Sequence, residues 1–162
     1  MDFSRVGRFE LVAIVCAAIA LASLFLMSWY SLDEGVPRDS GDWICGENNF
    51  ECTGWETFPI MRWILLAGVA APLILAWILI RGHKLSWAPG ELTAVGAFAA
   101  LVLIGYNGII DKPGSGPQEI GVSLDIGYWV ALLSGIGMAL AAIFRSQEEA
   151  GPARRKAPGS LT

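Results

Sequence analysis

Apolar residues along this chain gather into four long runs, Leu11–Tyr30, Phe58–Ile80, Leu92–Ile110 and Ile126–Phe144, with no charge in the middle of any of them. A hydrocarbon core of roughly 30 Å needs about 20 apolar helical residues to cross it. Lipid also requires each backbone polar group to be satisfied within its own segment, which a helix does. The pattern predicts an all-α membrane protein: a four-transmembrane-helix bundle over residues 1–145, with connecting loops at 31–57 and 111–125. The remaining stretch, 146–162, mixes Glu148-Glu149, Gly-Pro and Arg154-Arg155-Lys156, the composition of a disordered, solvated tail.

The first run begins like a secretory signal, with Arg5 and Arg8 ahead of it and Ala20-Leu21-Ala22 as a small-residue site. Its apolar stretch nevertheless continues through Leu24-Phe25-Leu26-Met27, longer than a signal core. It is read as a retained span. Composition agrees, since 54% apolar and 16% charged residues over 162 positions are the balance of a membrane domain.

Charge sets the orientation. Eight basic residues (Arg5, Arg8, Arg81, Lys84, Arg145, Arg154, Arg155, Lys156) fall on one side of the predicted topology, against Arg38, Arg62 and Lys112 on the other. The positive-inside rule makes the basic side cytoplasmic. The chain is then expected in the plasma membrane with both termini cytoplasmic, and the larger first loop, rich in Asp and Glu, is extracytoplasmic. Trp29, Tyr30, Phe58, Trp63, Tyr106, Tyr128 and Trp129 gather at the outer ends of the runs, where an aromatic belt of headgroup anchors is expected.

Cys45 and Cys52 share the first loop, separated by a turn-forming Gly46-Glu47-Asn48-Asn49-Phe50-Glu51. They are expected to form a disulfide closing a short β-hairpin, with Trp43-Ile44 and Glu51-Cys52-Thr53 as its arms. Cys16 reads as a small packing residue within the first span.

The order Trp29, Gly41-Asp42-Trp43, Cys45, Cys52, followed by Arg62 at the head of the second span, resembles claudins and their peripheral-myelin-protein relatives. Those proteins have four spans, internal termini and a larger first outer loop with a Trp, Gly-Leu-Trp, Cys, Cys pattern. Here Asp42 replaces the Leu, the cysteines are closer together, and the loop is about half as long. The resemblance implies the same four-span plan with internal termini and a larger first outer loop.

Small residues recur at helical spacing. The fourth run has Gly127, Ala131, Gly135 and Ala139, with Gly137 and Ala141 beside them; the second has Gly68, Pro72 and Ala76, and the third has Gly96 and Ala100. Such faces let helix backbones approach closely in lipid. They serve contacts within one bundle or an interface between copies. Pro72 is expected to kink its helix.

Candidate chemistry is sparse. Arg62 lies about one turn inside the outer boundary, where it can snorkel or pair with Glu56, Asp111 or Asp125, and Asn107 is similarly placed. Ion-coupled transporters carry charge deep in the membrane, and these runs do not. The only histidine, His83, falls on the cytoplasmic side. Asp39, Asp42, Glu47 and Glu51 could hold a divalent cation but read more simply as a solvated face. No catalytic set, metal, cofactor or nucleic-acid partner is implied. The expected partners are the lipid bilayer and another protein or a second copy. The chain is thus expected to be an interaction, scaffold or accessory subunit. The alternatives are an oligomeric pore or transporter component, and a membrane thiol-redox enzyme using Cys45 and Cys52.

Overall fold

A computed structural model of the chain describes residues 7–33, 45, 50–81, 89–113 and 121–154. Four long helices form it: α1 (Arg8–Leu26), α3 (Met61–Ile80), α4 (Pro89–Gly105) and α5 (Ile126–Arg154). A short α2 (Gly54–Thr57) precedes α3, and α4 runs on through a π turn at Tyr106–Ile110. Three short strands, β1 (Ser28–Leu32), β2 (Glu51–Thr53) and β3 (Val122–Leu124), form one sheet in the order β2-β1-β3, antiparallel throughout. The sheet caps one end of the bundle.

The helices pack in a ring, α1 against α3, α3 against α4, α4 against α5 and α5 back against α1. Burial follows the rule for lipid rather than for water. Ala13, Ala17 and Ala20 of α1 are buried while Leu11, Val12, Val15 and Ile19 face outward. Small residues sit between helices and large apolar ones outside, as expected where packing replaces the hydrophobic effect. All four helices are long and apolar enough to cross a membrane.

Closest approach occurs where side chains are absent. A Cβ on Gly68 would meet the Gly96 carbonyl oxygen at 2.9 Å and the Ala100 Cβ at 3.2 Å, so α3 and α4 touch nearly backbone to backbone. Pro72 and Ala76 are buried on the same side of α3, and the helix continues through Pro72 to Ile80. Gly127 abuts the Ser28 carbonyl, Gly135 faces Leu101 and Ile104 of α4, and Gly137 lies on Cys16 of α1. Ala131, Ala139 and Ala141 are buried too. The small stripes of α3, α4 and α5 are thus covered by neighbours in the same chain.

Several boundaries differ from expectation. The first span ends at Leu26, and the chain turns at once into β1. The second starts at Met61 instead of Phe58, because Thr53 and Glu56 cap α2 reciprocally and Phe58 breaks the helical path between them. The last helix extends to Arg154, so 146–154 is helix where a disordered tail was expected. Residues 155–162 lie outside the described residues. The Glu51–Thr53 arm is a strand, but it pairs with β1; the expected partner arm, Trp43-Ile44, lies outside the described residues.

Candidate functional site

The capped end contains the densest chemistry. Its floor is a polar knot around Ser23, one helical turn from the end of α1. The Ser23 hydroxyl donates to the Gly127 carbonyl at 2.6 Å, and the Trp29 indole N–H donates to the Ser23 carbonyl and hydroxyl oxygens at 3.1 Å. One side chain therefore joins the last turn of α1, the first turn of α5 and the first strand. Nothing in the hydrophobic pattern singles out Ser23. Its only signal is a hydroxyl inside an apolar run, which lipid does not tolerate without a partner.

Above the knot lies an aromatic cluster. The register between β1 and β2 slips between Ser28 and Tyr30, leaving Trp29 as the bulged residue. A bulge re-aims a side chain, and here it lets Trp29 and Tyr30, adjacent in sequence, both face inward. Both are almost wholly buried, as is Tyr128, and Phe58 joins them. Trp29 meets Tyr128 edge-on with centroids 6.1 Å apart, and Tyr30 meets Phe58 at 5.9 Å. The expected belt role is corrected for these four residues: they form the core of the cap. Trp63, Tyr106 and Trp129 do stand at the surface.

The π turn serves this cluster. A π register leaves a helical carbonyl without its usual donor, and the Asn107 side-chain amide supplies one to the Leu103 carbonyl at 2.8 Å. The Asn107 carbonyl in turn accepts from the Tyr30 hydroxyl at 3.2 Å. Asn107 is therefore buried within the protein, at the capped end of α4. Gly108 lies flat against the Tyr128 ring, and any Cβ there would overlap it. Burial, and next the neighbouring Tyr128, push the Tyr30 hydroxyl well above the usual phenol range.

The Cys45–Cys52 disulfide is present, with Cα atoms 4.9 Å apart. Both cysteines are no more than 2% exposed and belong to the same core cluster as Trp29 and Tyr30. Gly41 and Trp43 lie outside the described residues. Arg62 does not take the carboxylate partners expected for it. Its guanidinium lies over Trp55 at 4.9 Å and Trp63 at 5.6 Å, while Glu56 is engaged in the α2 cap and Asp125 accepts from the Ile126 N–H.

At the opposite end, Arg145 of α5 pairs with Glu10 of α1. The second Glu10 oxygen accepts from the Gly7 N–H at 2.7 Å, closing the first turn of α1. Both side chains are largely buried, beside a shallow recess lined by Gly7, Phe9, Glu10, Arg145 and Glu148. Sequence reasoning missed this pair, although its signal was present: the first and last membrane-spanning helices carry opposite charges at the same end. Among the described residues, no group of three His, Cys, Asp or Glu side chains converges on one point. Comparison with known proteins finds no family model, no curated protein and no solved structure that matches this chain.

Proposed function

We propose that this chain is a non-enzymatic membrane protein that works by interaction, as an accessory subunit, scaffold or envelope component presenting its cap to a partner. The observation that carries this reading is how the cap is held. A bulged sheet, a buried disulfide and the Trp29–Tyr30–Tyr128 cluster fasten it to the ends of α1, α4 and α5. Such a device keeps a surface in one shape, and preorganisation of that kind favours binding. In this proposal the cap is extracytoplasmic and both termini are cytoplasmic, on the strength of the basic residues sorted to the other end.

The burial of Cys45 and Cys52 supports a structural bond over a thiol-exchange centre, which needs access for an attacking thiolate. The covering of the Gly127–Ala139 stripe by helices of the same chain supports a bundle complete in one protomer. Trp29, Cys45 and Cys52 sharing one buried cluster supports a claudin-like plan for the cap.

The deciding experiment joins native mass spectrometry from mild detergent, without reduction, to ion-flux assays in liposomes. The expected result is a non-conducting protein, as a single chain, a complex with an unlike subunit or a silent oligomer. Steady conductance, or thiol–disulfide turnover lost in Cys45→Ser, would overturn the proposal. Tags on the two termini should both be cytoplasmic; an exposed tag on either would reverse the orientation.

A further inference from the structure

We propose that Leu26, Ile60, Ile110 and Ile126 form an apolar collar seated at the hydrocarbon edge of one leaflet of a glycerophospholipid bilayer, so that the base of the cap stands among the headgroups with no water layer beneath it. Each long helix contributes one of these residues at its capped end. Leu26 closes α1, Ile60 precedes α3, Ile110 ends the π turn of α4 and Ile126 opens α5. They are 80%, 78%, 74% and 63% exposed, the first three being the most exposed large apolar side chains among the described residues. Bare apolar surface of this kind marks contact with a membrane or a partner. Polar chain begins directly beyond it: Ser28 lies two residues past Leu26, Asp111 follows Ile110, Asp125 precedes Ile126, and Glu56 lies one helical turn before Ile60.

Charge marks the opposite boundary. Arg8, Arg81, Glu91 and Arg145 stand at the uncapped ends of α1, α3, α4 and α5. Each lies about 20 residues from the collar residue of its own helix, roughly 30 Å of helical rise, which is the thickness of a hydrocarbon core. Between these limits the described charges are Glu10, paired with Arg145, and Arg62, held against Trp55 and Trp63. A bilayer core with its far edge at those end charges therefore reaches the collar and stops there. The helices pack in a ring, so the collar faces outward on all sides of the bundle. A second copy or another protein would cover one side, whereas a leaflet surrounds all of them. Trp63 and Trp129, each about half exposed, lie one turn along α3 and α5 from the collar. Helical side chains lean toward the N-terminus, so both rings rise to the collar, where indoles suit the headgroup boundary. This inference depends on the spans alone, whichever side the cap faces and whatever it binds.

The test labels the collar in the full chain carrying Cys16→Ala, with the Cys45–Cys52 bond intact. A small environment-sensitive fluorophore is attached in turn to Leu26→Cys, Ile60→Cys, Ile110→Cys and Ile126→Cys, in phosphatidylcholine nanodiscs. Quenching is compared between aqueous iodide and phosphatidylcholine carrying a nitroxide near the top or near the end of its acyl chain. All four labels should escape iodide and be quenched most by the upper nitroxide. Iodide quenching with neither nitroxide effective would place the collar in water and overturn the proposal. Stronger quenching by the deep nitroxide would overturn it by sinking the base of the cap into hydrocarbon. Labels on one side shielded from iodide and from both nitroxides would overturn it in favour of a protein contact. The unmodified chain supplies a second check, thermal unfolding in bilayers of graded thickness. Its Tm should be highest at a core of about 30 Å and fall on either side; a Tm independent of thickness would overturn the proposal without any variant.

Discussion

Two residues of the cap carry sharp expectations. Gly108 lies where a Cβ would overlap the Tyr128 ring, and that ring is fully buried between Trp29 and Trp129. Gly108→Ala must therefore push the ring aside, at about 1–3 kcal/mol, the usual cost of overpacking. Thermal unfolding in detergent measures it, and Tyr128→Leu in the same chain should recover part of the loss. Tyr30 is the second case, because its folded hydroxyl titrates above the unfolded value of about 10. The folded chain then keeps a proton that the unfolded chain releases, so stability is full below pH of about 10 and falls as the pH rises further. Tyr30→Phe should lose about 1 kcal/mol for its hydrogen bond to Asn107 but should lack Tyr30's share of that alkaline decline. Parallel declines in the two proteins above that pH would show that Tyr30 titrates normally.

Among elements, the α1–α5 contact is tied at its uncapped end by Glu10 and Arg145. Glu10→Gln removes the carboxylate from a largely buried pair, and such losses cost roughly 3 kcal/mol or more. The Gly7 N–H keeps a neutral acceptor, so the first turn of α1 should survive while its contact with α5 loosens. A double-mutant cycle with Arg145→Gln, read by thermal unfolding, should give a coupling of at least about 1 kcal/mol; strictly additive losses would mean that the tie is idle. The elements also show what was legible in the sequence. Spans were, because four runs of bilayer length admit one reading. Their ends were not, because Trp29 and Tyr30 suit a headgroup belt and a buried cap equally well by type. What decides between them is the bulge in β1 and partners at Glu51–Thr53 and Val122–Leu124, far away along the chain. Three-residue strands carry too few positions for alternation to register. Arg62 lies over Trp55 and Trp63, a contact the sequence does not reveal, since it lists the neighbouring acids without showing that Glu56 and Asp125 serve helix starts.

For the whole molecule the question is whether cap and bundle unfold together. One buried cluster contains Trp29, Tyr30, Cys45, Cys52 and Val122 from the cap together with Leu24, Leu65, Ile104 and Ala131 from the four helices. A second cluster, built on Ala17, Ala97, Ala100 and Met138, lies within the helices alone. The first has no boundary at which the cap could detach without exposing helix ends. Breaking the Cys45–Cys52 bond, which closes a short loop, should remove roughly 2–3 kcal/mol by relaxing the unfolded-state constraint. If the cluster acts as one unit, that loss reaches the helices. Circular dichroism of Cys45→Ser/Cys52→Ser should then show the helical signal melting at a lower temperature in a single transition. The opposite result is equally specific: unchanged helix melting beside a new low-temperature loss of aromatic signal would make the cap a separate unit resting on an independent bundle. In that event the shape of the presented surface would be fixed by the disulfide and the sheet alone, without the four helices beneath.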